Sequence, residues 1–244
     1  MARSNDRTSQ LRAVGPAIAP AAVAVVLIAA NLLNNRLAPG AYVATCAGGA
    51  ALLLLAARWD GCSWPDLGLG RDSLRRGLRW AAVLALLVLA VYTVAALLPP
   101  TRTAFEDERA GGSPFPEVLY NVLVHIPLGT VLLEEIAFRG VLYAMLARRY
   151  GVPKAVAVSS FLFGLWHVLP SLGLASRNAA VESLVGTGTG ATAAAVTAAV
   201  AVTALGGAVF CELRRRSGSL LAPMGLHWSL NGIGFAFAAA LAAG

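Results

Sequence analysis

The chain has few charged residues, which make up only 13% of its 244 residues. A soluble globule of this size needs more charged side chains than that to cover its surface. The apolar residues reach 58%, and the mean hydropathy is +0.71. This composition excludes a disordered or collagen-like chain, and it predicts an integral membrane protein.

Cysteine and lysine are also scarce. The three cysteines, Cys46, Cys62 and Cys211, lie far apart without a C-x-x-C pair, which excludes a disulfide framework and a structural zinc knuckle. Lys154 is the only lysine among nineteen basic residues, and alanine and glycine are abundant, which indicates a GC-rich coding bias. Such a bias favours a bacterial origin, and we therefore expect the protein in a bacterial cell membrane. The net charge of +7 comes from basic residues scattered between apolar blocks, which indicates membrane flanks and not nucleic-acid binding.

Long apolar runs are what the sequence has in abundance, and a transmembrane helix needs about 20 such residues. The predicted fold is therefore an all-α, polytopic membrane helix bundle of about seven transmembrane helices. The predicted spans are Pro16–Leu33, Ala41–Ala57, Leu78–Leu98, Val118–Ala147, Ala155–Leu169, Ala191–Cys211 and Leu220–Leu241.

The distribution of basic residues predicts the orientation, because cytoplasmic loops carry an excess of Lys and Arg. With the N-terminus inside, fourteen basic residues fall in cytoplasmic segments, Arg3 among them. Four fall outside, namely Arg36, Arg102, Arg109 and Arg177. We therefore expect the N-terminus inside and the C-terminus outside.

Three charged residues, Glu134, Glu135 and Arg139, interrupt the fourth predicted span, where such groups are costly and usually functional. At about 100° per residue, Glu135 and Arg139 share one helix face, so we expect them to form a buried ion pair. Glu134 points away from both and is left as the uncompensated carboxyl group. A desolvated carboxyl group suits proton transfer near neutral pH.

The later spans carry the other unusual polar residues. His167 follows Phe163 by one helical turn, and Asn231 follows His227 by one turn. At about 1.5 Å per residue from the nearest predicted cytoplasmic flank, the depths are about 21 Å for Glu134, about 20 Å for His167, about 15 Å for His227 and about 21 Å for Asn231. Similar depth on three helices predicts one shared intramembrane polar site. A lone histidine in an apolar helix is more often a packing residue, and we interpret His125 in this way.

The three motifs Glu-Glu-x-x-x-Arg, Phe-x-x-x-His and His-x-x-x-Asn, in this order on successive spans, resemble the CPBP family. This family comprises the type II CAAX prenyl endopeptidases and bacterial bacteriocin-processing or self-immunity proteins. The similarity covers residues 118 to 231 and includes Gly218–Pro223 before the last motif. It divides the chain into N-terminal transmembrane helices and loops, 1–117, and a catalytic membrane core, 118–244.

The resemblance implies an intramembrane glutamic endopeptidase without a metal or other cofactor. Glu134, with His167, would deprotonate a water that attacks the scissile carbonyl. His227 and Asn231 would stabilise the oxyanion, and Glu135 and Arg139 would be supporting residues. The expected partners are the lipid bilayer and a membrane-associated peptide or protein, lipidated or not.

Two other interpretations remain open from the residues. Two histidines and a glutamate form a zinc set in some proteases, but this chain has no H-E-x-x-H motif and each ligand would come from a different helix. A non-proteolytic membrane protein, such as an immunity factor, a scaffold or a proton-coupled transporter, would use the same polar cluster for binding or proton relay.

Overall fold

The computed structural model describes residues 5–102, 105, 112–174 and 179–242, and all regular secondary structure within them is helical. The longer helical segments are α1 Asn5–Leu32, α2 Tyr42–Trp59, α3 Arg71–Leu97, α4 Phe115–Tyr150, α5 Val152–Trp166, α6 Thr189–Ser217 and α7 221–242. A π-helical turn, Leu33–Leu37, extends α1. The short helical turns are Pro39–Ala41, Pro99–Arg102, Pro170–Gly173 and Ala179–Val185.

Five helical stretches in the described residues are long and apolar enough to cross a membrane. They are Ala19–Leu37, Pro39–Trp59, Arg71–Leu97, Phe115–Tyr150 and Thr189–Ser217. The fifth predicted span is a shorter apolar helix of 15 residues, and the seventh is α7, which a π-helical turn interrupts. The all-α polytopic membrane bundle is thus confirmed, and five of the seven predicted spans are helices long enough to cross a membrane.

Three of the four basic segments predicted to be cytoplasmic meet at one end of the bundle. Asp60, just after α2, forms an ion pair with Arg149 at the end of α4. Arg214 near the end of α6 donates to the carbonyl of Asp66 at 2.9 Å. This clustering agrees with the predicted orientation, which stays a prediction. Of the residues counted for it, Arg3, Arg109 and Arg177 lie outside the described residues.

The main hydrophobic core joins α1 and α2 to α4. Val23, Leu53, Leu133 and Phe138 are all buried in it. Gly49 allows α2 to approach α4 closely, since a Cβ atom there would lie 3.2 Å from a methyl carbon of Leu133. Helices from both predicted regions of the chain therefore share one core, which holds α4 in a fixed position.

Helices α5 and α6 pack backbone against backbone. A Cβ atom on Gly164 would lie 2.7 Å from the carbonyl oxygen of Val200, and such a distance leaves no room for a side chain. The sharp reversal from α4 into α5 depends on Gly151, whose φ of 82° is a conformation that favours glycine. Gly151 thus returns the chain along α4, and Gly164 holds α5 against α6.

Three stretches of π-helix, Asn121–Val131, Glu135–Leu142 and Ser229–Ile233, interrupt α4 and α7. In a π-helix each N–H donates to the carbonyl five residues earlier, but Pro127 has no N–H to give to Val122. The indole N–H of Trp228 donates to the Val122 carbonyl instead, at 2.9 Å. The loss of a donor at Pro127 thus creates an attachment between α4 and α7. His125 stacks on Tyr42, with ring centres 4.8 Å apart, as its packing interpretation predicts.

Candidate active site

Glu134 lies in the short α-helical stretch Leu132–Glu134 of α4, and its side chain is buried. Its Oε1 accepts a hydrogen bond from the indole Nε1 of Trp166 at 2.9 Å. Its Oε2 has no hydrogen-bond partner among the described residues. A buried carboxylate oxygen without a donor is uncommon, and each such group requires an explanation.

Glu135 and Arg139 form the predicted ion pair, with 3.1 Å between Nη1 and Oε1 and both side chains fully buried. The guanidinium carbon of Arg139 also lies 3.8 Å from the ring centre of Phe163 and 4.7 Å from that of Phe210. A cation stacked on aromatic faces is stabilised by their quadrupoles, most strongly when water is excluded. The charge of Arg139 is thus held by one carboxylate and two aromatic rings.

Helix α5 ends at Trp166, three residues before its predicted end at Leu169, and His167 is the next residue. The α-helical hydrogen bonding ends here, because Pro170 has no N–H to donate to the Trp166 carbonyl four residues earlier, and Pro170 begins a short 3-10 turn. The Nδ1 atom lies 2.8 Å from the carbonyl oxygen of Phe163. Because a carbonyl only accepts, Nδ1 carries the proton, and Nε2 faces Oε2 of Glu134 at 4.0 Å.

His227 on α7 contacts both adjacent glutamates. Its Nδ1 lies 2.8 Å from Oε1 of Glu135, and its Nε2 lies 3.8 Å from Oε2 of Glu134. The ring stacks on Phe210, with centres 5.3 Å apart. Glu135 therefore orients His227, and both histidines direct Nε2 toward the same oxygen of Glu134.

Asn231 differs from these residues because its side chain is exposed, within the π-helical turn Ser229–Ile233. The turn is attached to α3 through the hydroxyl group of Tyr92, which donates to the carbonyl of Leu230 at 3.2 Å. The structure thus brings together three of the four predicted catalytic residues, and it places Asn231 one turn beyond His227 on the surface of α7.

Two contacts of the site were not predicted from the sequence. The Trp166 hydrogen bond to Glu134 and the His227 hydrogen bond to Glu135 both join different helices. The only signal for Trp166 is its place beside His167 in the Phe-x-x-x-His motif. Helical spacing shows which residues of one span share a face, but it gives no information on which residues of another span that face contacts.

The site has a compact charge distribution. Two carboxyl groups, one guanidinium group and two imidazole rings lie together, and the side chain of His167 is the most exposed of the five, at 22%. In a low-dielectric interior such groups interact strongly, and each proton position depends on its neighbours. Among the described residues, no three His, Cys, Asp or Glu side chains are arranged to hold a metal ion.

A family model described as Type II CAAX prenyl endopeptidase Rce1-like matches residues 112–233, half of the chain. The chain belongs to this family. The match includes every residue of the site described above and confirms the resemblance stated from the motifs. At the level of the family, the protein is a CAAX-type endopeptidase embedded in the membrane. Comparisons with curated proteins and with solved structures give no match.

Proposed function

We propose that the protein hydrolyses a peptide bond of a membrane-associated peptide or protein, with Glu134 as the general base. The observation that carries this proposal is Oε2 of Glu134, which is buried without a donor from the described part of the chain and faces the Nε2 atoms of His167 and His227 at 4.0 and 3.8 Å. These separations are too long for direct hydrogen bonds, and we place a water to one side of the atoms, within hydrogen-bond reach of Oε2 and an Nε2. A water held there contacts a carboxylate oxygen and an imidazole nitrogen at once.

The protonation of His167 supports its role beside Glu134. Because Nδ1 donates to the Phe163 carbonyl, the neutral ring has its lone pair on Nε2 and accepts a hydrogen bond from the water, which orients it. Glu134 takes the water proton as the oxygen attacks the scissile carbonyl, and the resulting carboxylic acid then donates that proton to the leaving amine. The partial exposure of His167 provides the approach for water and substrate.

His227 has a different role from His167, because it stabilises the oxyanion, and an oxyanion needs a hydrogen-bond donor. Its Nδ1 donates to Glu135, so Nε2 carries a proton only when the ring is an imidazolium ion. In that state Nε2 donates to the oxyanion. Asn231 supplies a second donor once a substrate lies against α7. Each such donor typically contributes a few kcal/mol to transition-state stabilisation.

The test is cleavage of a quenched fluorogenic peptide library by the purified protein in detergent or liposomes. We expect wild-type cleavage that survives a chelator and is lost in Glu134→Gln and His167→Ala. Glu117→Gln is a matched control, because it makes the same change at an exposed glutamate of the same helix. A chelator-sensitive activity would contradict the metal-independent mechanism, and cleavage by folded Glu134→Gln would contradict the role of Glu134. Prenylated and unmodified versions of a cleaved peptide then decide whether lipidation matters.

A further inference from the structure

The two oxygens of the Glu134 carboxyl group have different surroundings. Oε1 accepts the indole N–H of Trp166 at 2.9 Å, and both side chains are buried. Oε2 has no donor among the residues that the structure describes, and it is the oxygen that faces the Nε2 atoms of His167 and His227. A free carboxylate has two equivalent oxygens, so a neighbouring group must make them different here.

Trp166 is itself held in place by contacts that the catalytic groups do not make. It is the last residue of α5, where carbonyl groups lack a donor from their own helix. Asn31 of α1 supplies that donor, with its Nδ2 2.9 Å from the Trp166 carbonyl oxygen. The indole also packs edge-on against Phe138, with ring centres 6.0 Å apart. The direction of the indole N–H is thus determined by α1 and α4 together.

We propose that Trp166 is a positioning residue that fixes the Glu134 carboxylate so that Oε2 faces the two histidines. This inference rests on the proposed function of Glu134 as the base. An indole N–H is a donor only, so it cannot exchange roles with the carboxylate oxygen. A hydrogen bond to a charged, buried group is among the stronger ones. It stabilises the ionised, base-competent carboxylate and prevents the group from rotating.

The test compares Trp166→Phe with Trp228→Phe on a peptide that the wild type cleaves. The two changes are matched, because each removes an indole N–H whose hydrogen bond is 2.9 Å long, but Trp228 donates to a backbone carbonyl. For Trp166→Phe we expect kcat to fall roughly 10- to 100-fold with little change in KM. The low-pH limb of the kcat profile should also move to higher pH, because the ionised carboxylate loses a donor. Trp228→Phe should lower thermal stability and leave that limb in place.

A second variant separates the N–H from the shape of the ring. Replacing Trp166 by benzothienylalanine keeps the bicyclic ring and replaces only the N–H by sulfur, so it serves if Trp166→Phe does not fold. The proposal is overturned if this variant keeps the wild-type kcat and pH profile. It is also overturned if Trp166→Phe and Trp228→Phe give the same pH profile.

The contact has a readout that does not need protease activity. The indole N–H band in ultraviolet resonance Raman spectra reports the strength of the hydrogen bond. A Glu134→Leu minus wild-type difference should show one of the five tryptophans losing a strong bond. An unchanged band overturns the contact itself. No cleavage by folded wild type, with the band change present, instead overturns the proposed function and the catalytic importance of Trp166 with it.

Discussion

Replacing Arg139 with methionine should be one of the most destabilising single changes in this protein. The substitution leaves Glu135 as a fully buried carboxylate without its cation. Removing one partner of a buried ion pair typically costs about 3–5 kcal/mol, because the remaining charge stays desolvated. Methionine keeps most of the apolar volume, so the expected loss comes mainly from the charge.

The surroundings of Arg139 narrow this range. His227 lies 2.8 Å from Glu135 and compensates part of its charge when protonated, which favours the lower part of the range. The guanidinium group also loses its stacking on Phe163, 3.8 Å away, and a desolvated cation–π contact contributes up to about 2 kcal/mol. Together these effects give an expected loss of about 4 kcal/mol.

The assay is reversible unfolding in mixed micelles, which gives the free energy of unfolding of each variant. The double variant Glu135→Gln/Arg139→Met should be more stable than Arg139→Met alone, because the uncompensated carboxylate is gone. Arg215→Met is the control, since it breaks an ion pair whose side chains are 50% and 39% exposed. Exposed pairs of this kind contribute little.

Two results would refute this reasoning. One is an Arg139→Met variant that is no less stable than Arg215→Met, which would mean that the buried charges do not depend on each other. The other is a double variant whose loss equals the sum of the two single losses. Additivity would show that Glu135 and Arg139 act independently despite the 3.1 Å contact.

Three further predictions concern other parts of the chain. Gly164→Ala should lower the free energy of unfolding by about 1–3 kcal/mol, because the added methyl group overpacks against α6. Gly206→Ala is the control and should have no such effect, because the space at its Cβ position is open. Equal melting temperatures of the two variants would contradict the close contact at Gly164. Asn231→Ala should lower kcat by roughly 100-fold or more with KM little changed if the amide binds the oxyanion, and a wild-type kcat would remove it from the site. The Ser63 hydroxyl and backbone N–H donate to Asp66 and lower the pKa of its carboxyl group. The stabilisation from these hydrogen bonds is therefore present at neutral pH and is lost as the pH falls through the folded-state pKa. Asp66→Asn should reduce the acid sensitivity of unfolding, and an unchanged pH dependence would contradict this.

The sequence predicts contacts within one helix well. Helical periodicity places Arg139 beside Glu135, and the structure has that ion pair. The same periodicity turns Glu134 away from Arg139, and its carboxyl group indeed contacts Trp166 and faces the two histidines instead. Long apolar runs likewise predict the helices, because nothing else in a lipid bilayer satisfies the backbone of a single segment.

The sequence predicts contacts between helices poorly. Nothing in the spacing indicates that His227 meets Glu135, or that Asn31 on the first helix holds the end of the fifth. These contacts depend on how each helix is rotated, which follows from close packing at residues such as Gly164. The π-helical stretches add a further change of rotation beside Glu134 and His227 that a uniform period of 3.6 residues does not contain.

The end of α5 shows a third limit. The apolar run continues to Leu169 and therefore predicts a longer helix, but the helix ends at Trp166. Pro170 has no N–H to donate to the carbonyl of Trp166, four residues earlier, and Asn31 donates to that carbonyl instead. This early end places His167 where its Nδ1 donates to the Phe163 carbonyl. Hydropathy averaged over a run of residues does not show where a helix ends within that run.

The most direct test of the account is the turnover number of Glu134→Gln, measured with the wild type and Glu117→Gln on one cleaved peptide in liposomes. We expect Glu134→Gln to fold and to lose at least about 1,000-fold in kcat, because the amide cannot take a proton from the attacking water. Glu117→Gln should match the wild type. A folded Glu134→Gln that cleaves the peptide within about tenfold of the wild-type rate would contradict the central claim that this carboxylate is the catalytic base.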